Sequence, residues 1–418
     1  MRIWLLQRNE PTPHDEDGSE RLLRTGIMAQ VFVNLGHSVV WWTSDFDHYK
    51  RRHRHGGNYR ARVNDLYEIQ YLKARSYKRN ISLSRVVSNI EVGRSFSRVV
   101  VGGMDRPDVI IASIPTVELA WAAIKYAKEF DVPIFVDVRD LWPDHIIELA
   151  PKWSHPVLSL TLSPLSHLTK KVFSHANGIF GITEAMMQWG LSYAGRHRQC
   201  GDKVIPMGYT LPRLDTNKEG EYFWDQLGIK QQKNQMVIVF LGTIGRGFDF
   251  EPVLDAARSL LGSCIQFKFI ICGDGEFMQQ VRVSAENISN VFVPGWMNQA
   301  QIIALLSRSD VGLLPYKDLT PFKRSIPNKP AEYLASGLVL ASSLSDGVLS
   351  EFIKDNDCGF TYGGTSNELA SRLEELGRND GQLEAKKIAA AEAFKRNLDG
   401  EMVYSELAVF LEEFLAVS

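Results

Sequence analysis

Ser325-Ile-Pro-Asn-Lys-Pro-Ala-Glu-Tyr-Leu-Ala-Ser-Gly337 is the stretch on which the reading of this 418-residue chain turns. It reads as a loop running into a short helix: Asn328 suits the N-cap, Pro330 the first turn and Gly337 the C-terminal cap. The first backbone N–H groups, at Lys329, Ala331 and Glu332, then have no intrahelical acceptors and form an anion site, to which Lys329 adds a full charge. Glu332, three residues on, shares that helical face and suits a pair of hydroxyls. An anion cradle beside such a carboxylate fits a diphosphate joined to a ribose. The same residues also suit an ordinary loop and a Lys–Glu surface pair worth ~0.2–0.5 kcal/mol. What surrounds the stretch decides between the two.

Working outward, the stretch lies inside a repeating strand–helix pattern. In the carboxyl half, strands are expected at Val237–Leu241, Phe267–Cys272, Val291–Val293, Val311–Leu314, Leu338–Ser342 and Gly359–Tyr362. Three glycine-bearing turns, 242–247, 273–276 and 295–297, follow strand carboxyl ends, where open α/β sheets bind ligands. In the amino half, strands are expected at Arg2–Gln7, His37–Ser44, Pro107–Ser113, Val132–Val138, Asn177–Thr183 and Lys203–Tyr209. A helix opened by Gly18-Ser19-Glu20 runs to about Leu35, and others cover Val117–Phe130 and Pro156–His175. Strands alternating with helices mean βαβ units and parallel sheets. The expected layout is an α/β chain of two Rossmann-like domains, 1–210 and 211–397, with a polar linker at Pro212–Asn234. A last helix, 398–418, packs back on the amino-terminal domain.

Composition narrows the class. The formal net charge is −2, with 44% apolar and 23% charged residues, as in an ordinary globular protein. Cys200, Cys264, Cys272 and Cys358 are scattered, so neither a disulfide framework nor a zinc site is indicated. No apolar run approaches the ~20 residues of a membrane span, and the opening run is short for a signal peptide. The expected location is cytoplasmic, free or peripheral on the membrane. No Gly-x-Gly-x-x-Gly follows the first strand and no Walker loop is present. Asp45-Phe-Asp47 and Asp355-Asn-Asp357 read as acidic loops rather than metal sites, and His48, His53 and His55 lie among repelling arginines.

One segment stands out. From Lys50 to Arg85, eleven cations, among them Arg51, Arg52, Arg54, Lys78 and Arg79, oppose only Asp65 and Glu68, with Tyr59, Tyr67, Tyr71 and Tyr77 interleaved. A solvated basic face, an anionic lipid surface and nucleic acid are the three readings. No recognised nucleic-acid motif accompanies the segment, and the lipid surface is the one carried forward.

Taken together, Ser-x-Pro-x-Lys-x-x-Glu-Tyr-Leu-Ala-x-Gly at 325–337, the preceding Ser309-Asp-Val-Gly-Leu-Leu-Pro-Tyr316 and Gly295-Trp296, and Arg139-Asp-Leu-Trp-Pro-Asp144 resemble the retaining glycosyltransferases of family 4. Nearly the whole chain is covered, most loosely between residues 45 and 100. In the amino half, Asp137-Val-Arg-Asp-Leu-Trp-Pro-Asp144, Gly181-Ile-Thr-Glu184 and Gly18-Ser-Glu20 look like members that build capsule, O-antigen or exopolysaccharide repeat units. The resemblance implies the GT-B fold, with two Rossmann-like domains facing across a cleft, acceptor in the first and donor in the second. It implies no metal and no cofactor, with a nucleotide-sugar, in particular a UDP-sugar, as co-substrate. Carried over, Glu332 binds ribose, and Lys329 with Asn328 the diphosphate. Gly295, Trp296 and Met297 line the base pocket. Gly18 and Ser19 close over the phosphates, and Gly245, Arg246 and Gly273 belong to the donor turns. Asp140 orients the acceptor hydroxyl or else caps the following turn, and Arg139 stands where relatives often carry His. The acceptor is a saccharide or a polyprenyl-diphosphate-linked glycan. The chain departs from the family at Arg324, where relatives often carry a Glu that contacts the sugar, and at the 242–247 turn, where Arg246 is the one obvious cation. An epimerase of the same fold and a catalytically silent nucleotide-sugar-binding protein stay open beside a transferase.

Overall fold

The computed structural model describes residues 1–15, 22–79, 82–148, 150–211, 218–229, 232 and 234–417. The chain divides into two compact units, Met1–Gly208 with Gly400–Ser418, and Tyr209–Asp399. The first is built on eight strands: β1 (Arg2–Leu6), β2 (Ser38–Ser44), β3 (Tyr59–Asn64), β4 (Tyr67–Leu72), β5 (Val109–Ile114), β6 (Ile134–Val138), β7 (Gly178–Gly181) and β8 (Lys203–Val204). Their order is β3-β4-β2-β1-β5-β6-β7-β8, parallel throughout except for the antiparallel β3–β4 pair. Side-chain alternation sends Trp4, Leu6, Val40 and Trp42 to one face and Ile3, Leu5, Val39 and Trp41 to the other. Both faces are covered, which is why these strands read as unbroken apolar runs.

The helix Gly400–Val417 lies over the second of those faces beside the helix Arg24–Asn34, contributing Val403, Tyr404, Leu407 and Leu411 to its core. A fully buried side chain of this size contributes ~1.5–3 kcal/mol, so this one helix is a substantial part of the unit. It starts two residues later than the sequence suggested. Leu398 and Asp399 separate it from the helix Asp380–Asn397, because the Leu398 carbonyl accepts from Tyr209 N–H (2.9 Å) instead of continuing the helix.

The amino-terminal helix also departs from expectation. It begins at Arg24, not at Gly18–Glu20, and Gly18 and Ser19 lie outside the described residues. Leu23 at its N-cap has no side-chain acceptor. The carboxylate of Glu10, brought in from the β1 loop, takes the Thr25 N–H at 2.8 Å instead. A cap supplied from fifteen residues away leaves no local signature.

The second unit has six parallel strands: β9 (Gln235–Leu241), β10 (Gln266–Cys272), β11 (Val291–Gly295), β12 (Val311–Leu314), β13 (Val339–Ser342) and β14 (Gly359–Thr361). Their order, β11-β10-β9-β12-β13-β14, is the doubly wound arrangement, and the strand order reverses between β9 and β12. Ligands bind such sheets at that switch point, beyond the strand carboxyl ends. Among the described residues, no helix is long and apolar enough to cross a membrane.

Candidate active site

The segment that opened the sequence reading sits at this switch point. Its helix spans Asn328–Ala335, and Gly337 follows at φ +72°, the left-handed turn that glycine permits. Pro327, not Asn328, is the N-cap: its ring fixes φ at −68°, and its extended ψ hands the chain into the helix one residue early. The N–H groups for which the helix has no acceptor therefore fall at Asn328 and Lys329, since Pro327 and Pro330 have none to offer. Ala331 and Glu332 leave that set. Tyr333 anchors the helix from beneath, its buried hydroxyl accepting the Leu241 N–H at 2.8 Å where β9 ends.

Lys329 reaches the turn after β9. Its Nζ lies 4.7 Å from the Phe248 ring centroid and 5.4 Å from that of Phe240, so two aromatic faces hold the ammonium. A Cβ added at Gly242 would stand 2.6 Å from Lys329 Cε and 2.7 Å from Nζ. Gly242, at φ +137°, thus leaves the space the lysine occupies. Glu332 is only 3% exposed. A lysine ammonium and a helix N-terminus at a sheet switch point are groups that can hold an anion, and a buried carboxylate lies three residues on.

The three glycine turns are stitched edge to edge. Gly242 N–H donates to Cys272 O (3.0 Å), Ile244 N–H to Asp274 O (2.9 Å) and Gly273 N–H to Gly295 O (2.8 Å). Gly273 is the tightest point, where a Cβ would lie 1.8 Å from the Gly242 carbonyl oxygen. Beyond this seam Arg246 forms an exposed pair with Glu276 at 2.8 Å, a partner the sequence reading missed. With Gly245, Phe248, Asp249 and Lys317 it borders a cavity of ≈ 470 Å³, whose lining includes neither Lys329 nor Glu332. Of the residues after β11, Trp296 is 71% exposed while Met297 turns into the core. Trp296 alone of the two presents a side chain to solvent.

In the first unit, Arg139 and Asp140 follow β6. Arg139 lies in a buried network: it donates to Asp137 (2.6 Å), to Thr25 Oγ1 (2.9 Å) and to Glu10, while Arg24 holds Asp137 from the other side at 3.1 and 3.2 Å. Burial opposes the charge on Asp137, but the two guanidiniums outweigh it and bring its pKa down to about 2. Asp140 is half-buried; its Oδ1 accepts the Leu141 N–H at 2.8 Å and meets His145 Nδ1 at 2.9 Å. Burial works against the His145 cation, and its hydrogen bond and charge contact with Asp140 prevail, leaving its pKa raised. His145 follows Asp144, at the end of the Arg-Asp-Leu-Trp-Pro-Asp run, five residues from Asp140, and the turn between them brings the two side chains together.

The basic segment is not one solvated face. Arg54 leaves the surface: its side chain is 6% exposed, bonded to Asp15 at 2.7 and 3.0 Å and 3.4 Å from Asp47. Tyr67, Tyr71 and Tyr77 are core residues, so they are not interfacial anchors. Arg60 and Arg62 sit on the outer side of the β3–β4 hairpin, paired with Glu68 and Asp65, and Arg75 pairs with Glu91. Arg51 folds over the Tyr77 ring at 5.2 Å. Arg52, Lys78 and Arg79 remain exposed.

With this geometry in view, residues 235–379 match the family model described as glycosyl transferases group 1. No curated protein matches the chain by sequence. Among solved structures, the chain is similar to Anabaena HepE in complex with UDP (13% identity, TM-score 0.66, 99% of this chain and 100% of that one). It is also similar to the sucrose-phosphate synthase of Thermosynechococcus elongatus (12%, 0.73, 100% of both) and to WaaG, a glycosyltransferase involved in lipopolysaccharide biosynthesis (13%, 0.60, 98% and 99%). The protein thus has the GT-B fold, and the Lys329–Glu332 helix and the three glycine turns all lie within its group 1 glycosyl transferase match.

Proposed function

We propose that this protein is a glycosyltransferase of the retaining, metal-independent kind, moving a hexosyl group from a UDP-sugar to a saccharide or polyprenyl-diphosphate-linked acceptor in surface-polysaccharide synthesis. The observation that carries the reading is Lys329, lodged between Phe240, Phe248 and the Gly242 turn at the head of its helix, with Glu332 buried one turn on. Similar structures solved with UDP and with UDP-glucose support the choice of donor.

In this mechanism Lys329 and the N–H groups of Asn328 and Lys329 stabilise the charge that develops on the departing diphosphate, the dominant electrostatic contribution in such sites. Glu332 holds the ribose hydroxyls, and Trp296 lies against the base. Arg246 exchanges Glu276 for phosphate. The leaving phosphate takes the acceptor proton on the same face of the sugar, which retains configuration. Asp140 orients the acceptor hydroxyl, steadied by His145, and Arg139 positions the turn through Asp137 and Glu10. Arg52, Lys78 and Arg79 hold the first unit against the cytoplasmic membrane face, within reach of a lipid-linked acceptor.

Incubation with UDP-sugars, with and without a lipid-linked acceptor, tests the reading. Acceptor-dependent release of UDP with a lengthened glycan is expected. Interconversion of the donor without acceptor would identify an epimerase, and nucleotide binding without turnover a silent binder. Asp140→Asn is expected to cut transfer while leaving UDP affinity intact.

A further inference from the structure

A second cationic centre lies in the first unit, beyond the carboxyl ends of β1, β2 and β4. There Arg8, Arg51 and Arg85 converge on one aromatic ring, with their guanidinium carbons 5.5, 5.2 and 6.0 Å from the centroid of Tyr77. Arg85 also stacks on Trp142, at 5.3 Å. The place is the switch point of the first sheet, where the strand order reverses between β1 and β5. Arg85 stands in the first turn of the helix Leu83–Val101, so the positive end of that helix adds to the same field.

Arg8 is the informative residue. It is 1% exposed, and its two terminal nitrogens donate to the neutral side chains of Asn89 and of Ser88 (2.5 Å), not to a carboxylate. Its Nε, and the Nε1 of Trp142, have no hydrogen-bond partner among the described residues. A buried guanidinium without a paired carboxylate is costly, and here burial first, with repulsion from Arg85, pulls its pKa down to about 10. Two carboxylates face Arg8: Glu91, which is paired with Arg75, and Glu118, whose pKa burial raises. His48, bonded to Tyr77 Oη at 2.6 Å, is kept neutral by burial and then by the same three arginines, its pKa pushed down to about 3.

We propose that Arg8, Arg51 and Arg85, gathered around Tyr77, form an anion site that receives a phosphoryl group of the acceptor. That the anion belongs to an acceptor rests on the transferase reading; the site itself does not. Two sources share the chemistry, a water-soluble sugar phosphate and a lipid-linked diphosphate. Exposed Leu83, Val86, Val87 and Ile90, on the helix that carries Arg85, offer an apolar track for the second.

The test is calorimetric titration of the UDP-saturated full chain with inorganic pyrophosphate, since UDP occupies the donor site. Wild type is expected to bind, and an Arg51→Ser/Arg85→Ser variant, which leaves buried Arg8 in place, to bind at least ~10-fold more weakly with UDP affinity unchanged. Absence of binding in wild type, or equal binding in the variant, overturns the proposal. Farnesyl diphosphate binding more tightly than pyrophosphate, with the advantage lost in Leu83→Ser/Val87→Ser, assigns the lipid source; equal affinities assign the soluble one. Should UDP itself fail to bind while pyrophosphate binding still depends on Arg51 and Arg85, the anion site stands and the donor reading falls.

Discussion

Replacing Gly242 by alanine puts a methyl group where Lys329 now lies. The new Cβ would be 2.6 Å from Cε and 2.7 Å from Nζ, and the backbone there has φ +137°. The lysine end is flexible and can move, so the steric cost falls on the ammonium's position rather than on the fold. The backbone cost remains: a non-glycine residue at such a φ costs ~1–3 kcal/mol. For a unit of this size that corresponds to a drop of about 2–12 °C in melting temperature, at ~2–4 °C per kcal/mol. Displacing the ammonium from the diphosphate forfeits a charge-assisted contact of ~1.5–3 kcal/mol, about ten- to a hundred-fold in UDP affinity. Gly245→Ala is the internal control, because its Cβ would meet nothing nearer than Thr243 Cγ2 at 3.9 Å and its backbone is not left-handed. Scanning calorimetry reads the first effect and UDP titration the second. Equal melting temperatures and equal UDP affinities for the two variants would refute the reasoning.

Other consequences follow from single contacts. Tyr333→Phe strands the Leu241 N–H beneath the Asn328–Ala335 helix and should cost ~1–3 kcal/mol by denaturant unfolding. Asp137, whose folded pKa lies near 2 against an unfolded value of ~3.9, contributes stability that is complete above ~pH 4 and lost as pH falls through 2. Asp137→Asn should therefore be ~3–5 kcal/mol less stable at pH 7, and its deficit should shrink between pH 4 and 2; a deficit independent of pH would contradict the ion-pair account. Flotation with anionic liposomes should show binding at 0.1 M salt that fades at 1 M. Arg52→Ser/Lys78→Ser/Arg79→Ser should lose about 3 kcal/mol of it, at ~1 kcal/mol per cation.

Much of the architecture was legible because parallel strands covered on both faces are near-continuous apolar runs, and β5 and β9 are of that kind. The β3–β4 hairpin was missed for the opposite reason. In Tyr-Arg-Ala-Arg-Val-Asn the outward arginines dominate the composition, and the inward alternation rests on a residue as small as Ala61. Lys329 and Glu332 could be picked from a linear motif because four residues hold both. The slot that positions Lys329 could not, since Phe240, Gly242 and Phe248 come from some eighty residues away. Ion-pair partners were the least legible: Glu10 caps a helix, Glu276 takes Arg246, and Asp15 draws Arg54 inside. Each choice depends on tertiary proximity, which charge counting along the chain does not contain.

The central claim, that the Asn328–Ala335 helix and the Gly242 turn hold a nucleoside diphosphate, is tested most directly by titrating UDP and uridine into wild type, Lys329→Ala and Glu332→Ala. Lys329→Ala should lose UDP affinity about ten- to a hundred-fold while uridine changes little, and Glu332→Ala should weaken both alike, since both carry the ribose. UDP affinity unchanged in both variants would contradict the account.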